Sequence, residues 1–114
     1  MSYDFYLEID TDGVKPYTID PDLNYTSNVA PIWRRALRAA GAGVESMSDL
    51  NGQRAGALIA LLKGAIADMQ SLSAEYEAMN PQNGWGNARG ALEVLVRLEA
   101  LCLENPNATV RISR

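Results

Sequence analysis

The sequence contains no histidine. That removes Ser-His-Asp and Cys-His catalysis, histidine metal sites and the usual proton shuttle near neutral pH. A single cysteine, Cys102, excludes an internal disulfide. Cys102 falls on an apolar helical stripe with no nearby lysine, so it reads as a small core residue and not as an activated nucleophile. No apolar run approaches the roughly 18 residues a membrane helix needs. The first ten residues have neither the basic start nor the continuous apolar stretch of a signal peptide. These absences point to a cytoplasmic setting without membrane association. Positive charge is also in short supply: the chain carries a net charge of −4. General nucleic-acid binding, which neutralises many phosphates, is therefore not expected.

What is present is an ordinary globular balance over 114 residues, 47% hydrophobic and 21% charged. That length suits one domain, residues 1–114. The charge is segregated. Residues 1–28 carry six acids against Lys15, whereas residues 29–63 carry Arg34, Arg35, Arg38, Arg54 and Lys63 against only Glu45 and Asp49. The middle segment could thus hold a local anion site.

Ser2 to Asp10 alternates, with Tyr3, Phe5, Leu7 and Ile9 on one face, the period of a half-buried strand. Asp12-Gly13 suits a hairpin turn. Val14 to Ile19 then forms a return strand, placed at a sheet edge by Pro16 and closed by Asp20-Pro21-Asp22. A polar stretch, Asn24 to Asn28, supplies N-cap residue types for a first helix with Pro31 in its opening turn and Gly41 and Gly43 at its end. A second helix is expected from near Asp49 or Asn51 toward Met79, with a break near Ser71 to Ser73. A third runs from Trp85 or Asn87 to Glu104, followed by a closing strand at Ala108 to Ser113. The expected fold is α+β: a small antiparallel sheet, made of the N-terminal hairpin plus the C-terminal strand, covered on one face by three helices. The closing strand should pair with the first. Phe5, Leu7, Ile32, Trp33, Leu37, Leu58, Ile59, Leu62, Ile66, Leu92, Leu95, Leu98, Val110 and Ile112 form the expected core.

Two segments carry a resemblance. One is Asn24-Tyr25-Thr26-Ser27-Asn28 with Val29-Ala30-Pro31-Ile32-Trp33. The other is Met79 to Asn87, containing Asn83-Gly84-Trp85-Gly86, with Pro106 to Val110 near the end. Together they resemble a group of small proteins of bacteria, notably actinobacteria, and of their phages, over nearly the whole chain. Ser27 stands where that group often has histidine, and Ala88 where an aromatic is common. The resemblance implies a phage or prophage origin and a host-cytoplasmic setting, and brings no catalytic or binding residue with it.

The chemistry-bearing candidates are polar and aromatic. Asn24 and Asn28 flank one helix start; Asn83, Trp85 and Asn87 flank another. Helix N-termini attract anions, an indole can stack on a ring, and Arg34 and Arg38, one turn apart, suit a phosphate or carboxylate. The plainer reading makes Asn28 and Asn87 caps, the glycines turns, and both tryptophans core, with Trp85 mostly buried. It also leaves the arginines solvated or paired with Glu45. Asp10-x-Asp12-Gly13 lacks the further ligands of a calcium loop, so no metal and no cofactor are expected. No paired carboxylates stand at a useful spacing for acid/base work. Two functions fit: a non-enzymatic phage- or prophage-type accessory protein that binds a protein partner or itself, or a binder of a small anionic, nucleotide-type ligand.

Overall fold

A computed structural model describes residues 2–11, 13–41 and 43–114. Asp12, half of the expected turn dipeptide, lies outside the described residues. Strand β1 (Ser2–Thr11) pairs antiparallel with β2 (Val14–Thr26) on one side and with β3 (Thr109–Ser113) on the other, giving the order β2-β1-β3. The closing strand does join the first, and Pro16 does lie on an edge strand. The helices are α1 (Ala30–Ala40), α2 (Ala55–Ser71), the short α3 (Ser73–Glu77) and α4 (Ala88–Glu104).

Alternation along β1 sends Tyr3, Phe5 and Leu7 into the core beneath the helices, while Asp4 and Asp10 stay exposed. α1 meets these rings with Trp33, which is fully buried. Tyr3 and Phe5 both present edges to it, with centroids at 5.4 and 5.9 Å. Edge-to-face contacts of this kind stabilise beyond the area they bury. The indole nitrogen donates to the Ala91 carbonyl at 3.0 Å, so one side chain ties sheet, α1 and α4 together. Buried polarity is thereby satisfied, as a low-dielectric interior demands.

Four expectations are corrected. First, β2 does not close at Asp20-Pro21-Asp22 but continues to Thr26. Phe5 pairs with Leu23 and Leu7 with Ile19, so two steps on β1 face four on β2. The extra residues bulge out, with Asp22 at φ 55° and its N–H donating to the Asp20 carboxylate. Burial of Leu23 and of part of Tyr25 draws the chain back into the sheet beyond the proline.

Second, α2 starts at Ala55, not at Asp49 or Asn51. Asp49 closes a capping box with Ser46 around a 3-10 turn, Met47–Leu50. Asn51 accepts instead from the Ile112 N–H, and residues 52–55 hydrogen-bond along the outer edge of β3. Third, Asn28 does not cap α1. Thr26 accepts from the Asn28 N–H at the head of a 3-10 turn, Ser27–Val29, and α1 begins with Pro31 in its first turn and no side-chain cap. Fourth, Ile59, Ile66 and Leu92 are only half-buried. Met47, Leu50, Met69 and Tyr76 fill the core beside the other expected residues.

Candidate functional site: an asparagine-lined cleft around Trp85

Residues 24–28 and 83–87 are more than fifty residues apart in the sequence, and the fold brings them together. The end of β2 and the loop before α4 form the walls of one open cleft of about 750 Å³. Asn24, Thr26 and Asn28 stand on one wall, with Asn83, Trp85 and Asn87 on the other. Ser2, Tyr25 and Gly86 complete the lining.

Tyr25 holds the walls in place. Its hydroxyl accepts from the Asn87 N–H at 3.1 Å, and its ring stands 6.4 Å from Trp33. The α4 side makes room for this ring with glycine. A Cβ on Gly90 would overlap the phenol, and one on Gly86 would come within 2.5 Å of the Thr26 methyl and 3.0 Å of Val29. Gly86 also has φ +87°, a conformation that costs other residues energy.

Local hydrogen bonds orient the cleft amides. The Asn83 side-chain oxygen accepts from the Trp85 N–H at 2.9 Å, and that of Asn87 accepts from the Gly90 N–H at 2.8 Å, as an N-cap. Among the described residues the Nδ2 donors of both are left available. Asn28 does the reverse: its Nδ2 donates to Thr26 at 3.0 Å, leaving its oxygen as an acceptor. Asn80 accepts from the Ala88 N–H at 2.7 Å and seats the loop at the base of α4. The cleft thus offers oriented donors and an acceptor beside an aromatic face.

Trp85 is the main departure from expectation. It is 67% exposed, not folded onto a helix. Gly84 and Gly86 on either side both have positive φ, at 77° and 87°. The backbone there follows a path on which the indole projects outward.

Arg34 and Arg38 do not join the site. The Arg38 guanidinium pairs with the Glu45 carboxylate, and Arg34 Nε donates to the Glu45 carbonyl at 3.2 Å. Arg35 pairs with Glu75 at 3.0 Å and covers the Tyr76 ring. Its pKa is raised, chiefly by the Glu75 bond. Tyr76 in turn donates to Asp68, and its pKa is raised by burial first and by Asp68 second. This second polar group braces α1 against α2 and α3.

Sequence reasoning missed Tyr25, although a signal was present. Tyr17, Ile19, Leu23 and Tyr25 continue a two-residue period straight across Pro21.

Among the described residues the cleft lining contains no carboxylate, lysine, arginine or cysteine. Cys102 is buried in α4, and burial, aided by the Glu99 charge, pushes its thiol up to about 11. Among the described residues no cluster of three or more metal-ligating side chains occurs, and no helix is long and apolar enough to cross a membrane. Comparison of the chain with known protein families, curated proteins and solved structures finds no match.

Proposed function

We propose that this chain is a non-enzymatic binding protein that engages a protein partner through the cleft around Trp85, as a phage- or prophage-type accessory protein acting in a host cytoplasm. The observation that carries this reading is the solvent-exposed indole set among oriented asparagine amides. Exposed tryptophan is enriched at binding hot spots. Tyrosine, serine, glycine and asparagine around such an anchor are the composition of paratopes, which combine rigid aromatic area with adaptable hydrogen bonding. Among the described residues the only titratable side chain in the lining is Tyr25, and its hydroxyl already serves Asn87. That speaks for binding without catalysis.

The concavity of the cleft favours a second reading, a small ligand held in the same place. The indole face and amides would suit a ring or base, but among the described residues no cation lines the cleft to meet a phosphate.

The test is affinity capture from bacterial lysate with the parent protein, with Trp85→Ala and Asn28→Ala, and with a paired Arg34→Ala, Arg38→Ala control. A protein retained by the parent and the arginine variant but lost with Trp85→Ala is the expected result. If the only species dependent on Trp85 is a small molecule released on denaturation, the second reading replaces the first. If nothing depends on Trp85, both fail.

A further inference from the structure

Beyond the cleft, the outer face of α4 carries an apolar stripe set among charged residues. Leu92, Val96, Ala100 and Leu103 recur at spacings of four, four and three, one stripe on a helix. Val96 is 43% exposed, Leu103 is 50% exposed, and Leu92 is half-buried. Leu92 borders Met69 and Tyr76 and Ala100 borders Pro21, whereas Val96 and Leu103 stay open among the described residues, and the opposite face of α4 is thoroughly packed through Ala91, Leu95 and Leu98.

The charges among and beside the stripe are of both signs. Arg89 and Arg97 stand with Glu93, Glu99 and Glu104, on a chain whose net charge is −4. Arg97 reaches toward the Pro21 carbonyl, whereas Arg89 and Glu104 have no ion-pair partner among the described residues. Fifteen residues separate these two, about 22 Å along a helix axis.

From this face we infer that the protein forms a two-fold dimer in which the α4 helices of two copies pack antiparallel, crossing near Val96 and Arg97. An isologous contact repeats each interaction twice. In the antiparallel arrangement each Arg89 lies opposite Glu104 of the other copy, and the Leu92, Val96 and Ala100 stripes meet between the two pairs. A parallel arrangement would set like charge against like.

Sedimentation equilibrium on the full chain over a wide concentration range tests this. The parent should pass from the mass of one chain to the mass of two, and Val96→Glu should abolish the heavier species. Circular dichroism should show the fold retained, since the residue is exposed. A charge-swap cycle then tests the register. Arg89→Glu and Glu104→Arg should each weaken dimerisation, and the double variant should restore it. A chain that stays monomeric throughout overturns the inference. So does a dimer indifferent to Val96→Glu, or a double variant no better than either single change. None of these outcomes bears on Trp85-dependent capture, so this inference and the cleft reading stand or fall separately.

Discussion

Gly90→Ala sets helix propensity against packing at a single atom. Gly90 lies in the first turn of α4, and on an unencumbered helix replacing glycine by alanine stabilises by about 1 kcal/mol. Here the added Cβ would overlap the hydroxyl and Cζ of Tyr25 and come within 3.0 Å of its Cε1. The phenol is rigid, half-buried, lodged near Trp33 and bonded to the Asn87 N–H. Overpacking of this sort costs about 1–3 kcal/mol. Steric cost should therefore exceed the propensity gain, for a net loss of about 1 kcal/mol. Urea denaturation reads it as a lower midpoint at unchanged slope. Tyr25→Leu removes the obstructing ring, so the double variant should be more stable than the two single changes add up to, a coupling that a thermodynamic cycle isolates. If Gly90→Ala alone raises the midpoint by the ordinary helical increment, Tyr25 does not fill that space and the account of the cleft walls is wrong.

Two further outcomes follow from the core. Trp33→Ala should cost about 3–5 kcal/mol, as for other large aromatic truncations, and Trp33→Phe, which chiefly loses the bond to Ala91, about 1–3 kcal/mol; equilibrium denaturation checks both. Cys102 should resist a thiol reagent at neutral pH until the chain unfolds, because its thiol titrates near 11 in the fold and near 8.5 when solvated. Between these values the folded chain retains a proton the unfolded chain has lost. Stability should therefore fall as pH rises from about 9 toward 11, more steeply than in Cys102→Ser when both are unfolded in urea across that range.

The regular parts of the fold were legible because their periods are local. β1 shows its buried face in Tyr3, Phe5 and Leu7, and α1 shows its own in Ile32, Trp33 and Leu37. Asn87 was readable as a cap, since the bond it makes reaches only three residues. The misreadings came from long-range competition. Asp20-Pro21-Asp22 carries every local mark of a terminus, yet pairing of Leu23 and Tyr25 with β1 carries the strand past it. Asn51 looked like a helix cap and instead serves the Ile112 N–H, sixty-one residues away. For the site, the residue types were readable but their meeting was not. Asn24 and Asn28 join Asn83, Trp85 and Asn87 only because Tyr25 spans the gap, while the equally suggestive Arg34 and Arg38 turn to Glu45. No local pattern separates an indole that enters a core from one that leaves it. Here the backbone path through Gly84 and Gly86, both at positive φ, leaves Trp85 outside.

The contrast between the two tryptophans gives the molecule a pair of optical reporters. Indole emission follows the polarity around the ring. Trp33, sealed against Tyr3 and Phe5, reports whether sheet and helices remain docked. Trp85 stands in water and reports only what arrives at the cleft. Steady-state fluorescence of the unlabelled chain therefore contains two separable signals. Quenching by a water-borne solute such as iodide should address Trp85 alone while the fold is intact, and shielding from that quencher would time the arrival of an occupant without any attached dye. Only when Trp33 becomes quenchable as well has the core itself opened.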